Sequence, residues 1–176
     1  MPRKQPTTAL TEAAPTKVRV FRKLIHTIGL LQRVMQPYFA QFGVSGAQWG
    51  VLRNLYRAEK NGEPGLRLTD LGRRMLIRPP SVTGIVDRLE RMRWIVRQAS
   101  DSDARAKRVA LTVEGRKLVE RVLAVHGGQM ERVMGGISSR EQAELERLLD
   151  RLGSHLEIMV ETRDFEPAAR RENGAN

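Results

Sequence analysis

A mainly helical fold with one small two-stranded β element is predicted by three observations. Apolar residues recur at helical spacing over most of the chain, and only one short stretch reads as paired strands. Capping residues, prolines and glycines mark the boundaries. The chain has 176 residues, 40% of them hydrophobic, enough for a packed core.

The first helix is predicted over Lys17 to Gln41, because Phe21, Leu24, Ile25, Ile28, Leu31, Met35, Tyr38 and Phe39 recur at its spacing. Pro37 should kink or end it. Ser45-Gly46-Ala47-Gln48 is a Ser-x-x-Gln capping box that opens a second helix through Trp49, Leu52, Leu55 and Tyr56, and Asn61 to Gly65 stops it. Thr69 is the expected N-cap of a short helix, Asp70 to Leu76, with Leu71 and Met75 inward. Pro79 and Pro80 then force a turn into a helix running to about Arg93.

Trp94 to Gln98 and Lys107 to Leu111 read as two strands around a polar loop, Ser100 to Ala106. Thr112 caps the next helix, with Glu114 in its first turn. Leu118, Val119, Val122, Leu123, His126, Met130 and Val133 carry that helix, and Gly127-Gly128 is read as a bend. Ser138 to Glu141 is a second capping box. It opens a terminal helix striped by Leu145, Leu148, Leu149, Leu152, Leu156 and Met159, and such a stripe needs a partner.

Charge narrows the function. The net charge is +11, and between Arg67 and Arg108 eleven basic residues face five acidic ones. Over half of the excess thus falls in about a quarter of the length, almost all as Arg, whose planar fork suits phosphate and guanine. Double-stranded DNA is the expected partner. There is no cysteine, which removes disulfides, thiolate zinc sites and thiol redox sensing from consideration. Residues 1–16 lack the apolar core of a signal peptide, and no apolar run reaches bilayer length, so a cytoplasmic protein with no membrane partner is expected.

Helix, turn, helix and hairpin make a winged helix-turn-helix. The helix from Pro80 to Arg93 is the reading helix. If Val82, Ile85, Val86 and Leu89 face the core, then Ser81, Thr83, Gly84, Asp87, Arg88 and Arg91 face outward. Its N-terminal N–H groups favour phosphate, and Arg88 is placed for guanine or phosphate. Arg97, Arg105, Lys107 and Arg108 make the hairpin basic, and a long Arg at its tip suits a narrow minor groove.

At these residues the chain resembles the MarR family of bacterial transcription regulators, over about residues 20–160. The wing carries the most specific match: Asp103, Arg105, Leu111 and Thr112, continued by Glu114-Gly115-Arg116. Leu68-Thr69-Asp70-Leu71 and Val86-Asp87-Arg88-Leu89-Glu90 also look like family sequence. The resemblance implies that Arg105 enters the minor groove and that Asp103 holds the wing in shape. It departs at Arg78, Gly84 and Arg93, where family members often carry Ser, Arg and Gly. Gly84 would let the helix approach the groove closely and Arg78 would supply the displaced guanidinium. The DNA-contacting set is therefore Arg78, Pro80, Ser81, Thr83, Gly84, Arg88, Arg97, Arg105 and Lys107.

The resemblance further implies a homodimer interlocked through the first and last helices, with two reading helices on a pseudo-palindromic operator. With the polar composition of the two ends, the expected division is a disordered basic arm (1–16), a helical dimerisation region (17–44 and 113–162), a winged helix-turn-helix lobe (45–112) and a flexible tail (163–176). A small effector, of the aromatic-carboxylate kind, is implied between the dimer helices and the lobe. Its candidate contacts are His26, Met35, Tyr38, Trp49, Arg53 and His126, with Arg53 the anion partner.

Two other functional classes fit the sequence less well. An enzyme is disfavoured: His26, His126 and His155 have no metal-ligand spacing, and there is neither a glycine-rich phosphate loop nor a Gly-x-Ser-x-Gly elbow. No cofactor or metal is expected. The alternative is a non-specific architectural nucleic-acid binder without a ligand switch, whose affinity would fall steeply with salt but vary little with sequence.

Overall fold

A computed structural model describes residues 14–77, 79–100 and 103–162. Helix α1, Thr16–Ala40, runs on through Pro37 for three further residues, because Tyr38 and Phe39 are both buried in that last turn. Helix α2, Gly46–Lys60, opens on the expected capping box. Ser45 Oγ accepts from the Gln48 N–H at 3.2 Å, and Gln48 Oε1 accepts from the Ser45 N–H at 2.8 Å. Val51, Leu52, Leu55 and Ala58 fill one face of it, each at most 2% exposed.

A strand the sequence did not announce comes next. β1, Leu66–Arg67, pairs with Val109 and Arg108, so the sheet has three antiparallel strands in the order β1-β3-β2. Gly65 makes this pairing fit: its φ is +139°, and a Cβ there would lie 2.7 Å from the Val109 carbonyl oxygen. The chain passes directly from β1 into helix α3, Leu68–Met75, whose N-cap is Arg67. Thr69 therefore sits exposed inside the first turn and is not the cap, since no loop separates strand from helix. Leu76 closes α3 in the left-handed conformation, φ 54°.

Helix α4, Pro79–Arg91, packs Val82, Val86 and Leu89 at 0% exposure, with Ile85 half-buried beside them. It ends two residues before the expected Arg93, which itself takes a positive φ of 59°. That is the position where a glycine would be unstrained. The Trp94 N–H donates to the Leu89 carbonyl at 3.1 Å, and the chain turns into β2.

β2, Ile95–Ser100, and β3, Asp103–Leu111, pair in register from Ile95 opposite Leu111 to Ser100 opposite Asp103, with an irregularity at Ala99/Ser100. The second strand thus begins at Asp103 instead of Lys107, so most of the expected seven-residue loop, Ser100 to Ala106, is corrected to paired strand, with residues 101–102 outside the described residues.

Helix α5, Val113–Met134, starts where Thr112 was expected to cap it: Thr112 Oγ accepts from the Gly115 N–H at 3.0 Å and donates to the Arg93 carbonyl at 2.8 Å. Gly115 admits no side chain, because a Cβ would lie 1.9 Å from the Trp94 carbonyl oxygen. α5 is helical through Gly127-Gly128. Two compact units divide at that pair.

The second unit holds the end of α5 and helix α6, Ser139–Glu161. Its capping box is present as expected, with the Ser138 N–H donating to Glu141 Oε2 at 2.7 Å. Gln142 Nε2 donates to the Ile137 and Met134 carbonyls at 3.0 and 3.4 Å, which ties α6 to the turn before it. No residue of α6 is buried. None of the described helices is long and apolar enough to cross a membrane.

Candidate nucleic-acid interface

The outer face of α4 follows from its inner one. With Val82, Val86 and Leu89 committed to the core, Pro80, Ser81, Thr83, Gly84, Arg88 and Arg91 are all exposed. Ser81, Gly84 and Arg88 lie near one line along the helix, and a Cβ added at Gly84 would meet nothing within 4 Å. The helix surface is therefore recessed between a hydroxyl and a guanidinium. Arg91 Nε donates to the Asp87 carbonyl at 3.3 Å.

Arg97 stands apart from the set in which the sequence placed it. It projects from β2 onto α4, where its guanidinium is paired with both Asp87 and Glu90 and is only 23% exposed. The Asp87 hydrogen bond chiefly holds its pKa above the usual arginine range; burial opposes this and the Glu90 charge reinforces it. Asp87, read as an outward residue, is accordingly half-buried under that ion pair. Arg108 is also engaged, donating to the Gly65 carbonyl at 3.0 Å. Arg97 and Arg108, two of the four wing cations, thus fasten the sheet to its surroundings. Arg78, and the side chains of Asp103, Arg105 and Lys107, lie outside the described residues.

Asp87 and Glu90 were the signal for this pairing. They stand one turn apart on a helix face that a wing strand must pass, which offers a site for one guanidinium.

On α3, Arg74 pairs with Glu63 at 3.1 Å and Arg73 lies 3.8 Å from Asp70. At the lobe's other side Arg116 and Glu59 make a two-point pair, 2.7 and 3.0 Å, joining α5 to α2.

The six residues read as effector contacts do not form one constellation. Tyr38, Trp49 and His126 meet: Tyr38 Oη lies 3.2 Å from His126 Nδ1 and 3.3 Å from the Val122 carbonyl, and the Trp49 and His126 rings are 5.7 Å apart. Arg53 is exposed but acts on this group. Burial first, and the Arg53 charge second, hold the His126 pKa below its ordinary value, while burial raises that of Tyr38. Met35 lines a different feature, a concavity of about 700 Å³ bounded by Leu31, Phe39, Val44 and Ala47. His26 is exposed on α1, beside Gly29, Leu30 and Arg33. Among the described residues no cluster of His, Asp and Glu could hold a metal ion.

A model of the MarR family matches residues 42–106, the segment from the start of α2 into the wing. The HTH-type transcriptional regulator PecS of Dickeya dadantii is 27% identical over 128 residues, 72% of this chain and 75% of that protein. The HTH-type transcriptional repressor YetL of Bacillus subtilis is 27% identical over 141 residues, 80% of this chain and 83% of that protein. Among solved structures, S. aureus MepR in complex with DNA is similar with a TM-score of 0.67 at 24% identity, covering 81% of this chain and 99% of that one. A mutant MarR from E. coli with operator DNA gives 0.69 at 22% identity, covering 77% and 95%.

Proposed function

We propose that this chain, which belongs to the MarR family and is a DNA-binding transcription regulator, acts as a homodimeric repressor of a pseudo-palindromic operator and is released by a small effector. The observation that carries the reading is the two-sided α4. On its inner face Val82, Val86 and Leu89 are fully buried, and its outer face presents Ser81, Thr83, Gly84 and Arg88 to solvent beside an attached wing. In this reading the start of α4 approaches a phosphate, Arg88 reaches a guanine edge or a phosphate, and Arg105 and Lys107 serve the wing's groove and backbone contacts. Asp103 shapes the wing, and Arg78 supplies a further contact.

Dimerisation is supported by the rows of exposed apolar side chains on the two long helices. Phe21, Ile25, Ile28 and Leu31 on α1 are 44–63% exposed, and Leu145, Leu148, Leu149, Leu152 and Leu156 on α6 are 38–48% exposed. Two protomers would set their reading helices about 34–36 Å apart, one turn of DNA. For the effector, the Tyr38–Trp49–His126 group with Arg53 beside it supports an aromatic anion. A ligand that binds better to a conformation with misplaced reading helices lowers DNA affinity by linkage.

Selection from random-sequence duplex DNA tests the reading. A regulator enriches a palindrome and prefers it to unrelated DNA by roughly a thousandfold or more. Affinity that falls with salt yet is blind to sequence would establish the architectural alternative. Calorimetry against a panel of aromatic carboxylates tests the effector, and no binding across the panel removes it.

A further inference from the structure

We propose that Arg97 is the positioning residue through which the reading helix sets the wing on DNA. The inference rests on the DNA-binding reading and assigns Arg97 a task within it that involves no contact with DNA.

Arg97 lies in the middle of β2, opposite Val109 of β3. On that strand Ile95 is held in the core at 2% exposure, while Val96 and Gln98 are exposed. Arg97 is thus the outermost described side chain by which β2 is attached to the rest of the lobe. Its fork spans Asp87 and Glu90, which stand three residues apart on α4. Two attachments along one helix face fix the strand's rotation as well as its distance, which one contact would not do. A planar guanidinium can make such a two-carboxylate bridge, whereas an ammonium binds as a point charge.

The arrangement also answers a difficulty. Asp87 and Glu90 are acidic residues on the helix that enters the groove, where an unneutralised carboxylate repels phosphate. Arg97 supplies their counter-charge from the protein side. This gives two separable consequences of removing it, a released wing and an exposed negative charge, and the proposal commits to the first as dominant.

The test uses the full chain and a duplex selected from a random-sequence pool, with affinity measured over a range of salt for wild type, Arg97→Gln, Arg105→Ala and the double variant. Arg97→Gln is expected to weaken binding about tenfold, in the range of one lost base contact, with the slope of log affinity against log salt unchanged. Arg105→Ala is expected to cost much less in the Arg97→Gln background than in wild type, because an unfixed wing has already lost the contact that Arg105 makes. The neutral triple variant Asp87→Asn, Glu90→Gln, Arg97→Gln is expected to bind as weakly as Arg97→Gln.

Additive losses at 97 and 105, a slope reduced by about 0.9 as for one lost phosphate contact, or recovery of binding in the triple variant would each overturn the proposal. If Arg97→Gln melts below the assay temperature, Glu90→Gln removes one of the two attachments and must show the same coupling to Arg105 in smaller measure. A wild type without sequence preference would sink the DNA-regulator reading and this inference together. A wild type with a clear preference and additive losses sinks this inference alone.

Discussion

Helices α4 and α6 are both amphipathic, yet α4 buries Val82, Val86 and Leu89 completely whereas α6 buries nothing. Sequence pattern is not the difference, since Leu145, Leu148, Leu149, Leu152 and Leu156 form as regular a stripe as the one on α4. The difference is where the complementary surface lies. For α4 it is supplied by this chain's own core. For α6, and for the exposed row on α1, we place it on a second copy. An apolar stripe therefore does not by itself say which surface covers it, and a covering second copy for α6 is the proposed dimer.

The sharpest way to break that contrast is a charge on α6. Leu152→Glu is expected to leave a folded monomer and to lower operator affinity about a hundredfold or more, because two linked half-sites become two separate binding events. Sedimentation and DNA titration of the same sample check both halves. A variant that remains dimeric would remove α6 from the interface. On the other side of the comparison, Leu89→Ala, at 0% exposure, is expected to cost about 2–5 kcal/mol by leaving a cavity in the lobe. A chemical-denaturation midpoint measures this, and a loss well under that range would mean that the core of α4 is less tightly packed than its burial implies.

Much of this division was legible in the residues, and what was not has a common cause. The capping boxes at Ser45 and Ser138 and the Thr112 cap are local, involving partners three residues apart, and the helices open where those signals stand. β1 is only two residues long, too short to alternate, and its pairing with Val109 depends on chain 43 residues away. The early start of β3 was silent because Ala104 and Ala106 carry no strong strand signal. The pairing of Arg97 with Asp87 and Glu90 was not legible, because charge adds up along a sequence while ion pairs cancel it in space. The effector set mixed residues that meet, Tyr38, Trp49 and His126, with Met35 and His26, which lie on other features, since helix position alone does not say which faces converge.

A smaller effect tests the junction where α1 meets the lobe. Neutral His126 sits beside Tyr38 and Trp49 with the Arg53 charge nearby, and its pKa is lowered from 6.5, chiefly by burial. The unfolded chain therefore takes up this proton at a higher pH than the folded one. Stability from this group is complete above about pH 6.5 and is lost as pH falls through the lowered folded value. His126→Gln should flatten the melting temperature over that interval, and an unchanged pH profile would show that the ring is not buried in solution.

The smallest expected effect carries the most information about how the outer face of α4 is used. Gly84 has an ordinary helical backbone and open space around it, so neither strain nor packing requires a glycine there. A glycine inside a helix costs about 0.5–1 kcal/mol relative to alanine. Gly84→Ala should accordingly raise stability by that amount. If the recess it fills is where the helix comes close to base edges, the same substitution should weaken the selected operator several-fold while leaving binding to unrelated DNA unchanged, because non-specific affinity comes from phosphates farther out. Opposite signs in the two measurements would mark Gly84 as retained for reading. A gain in stability with unchanged operator affinity would place the contact surface elsewhere on the helix, toward Thr83 and Arg88.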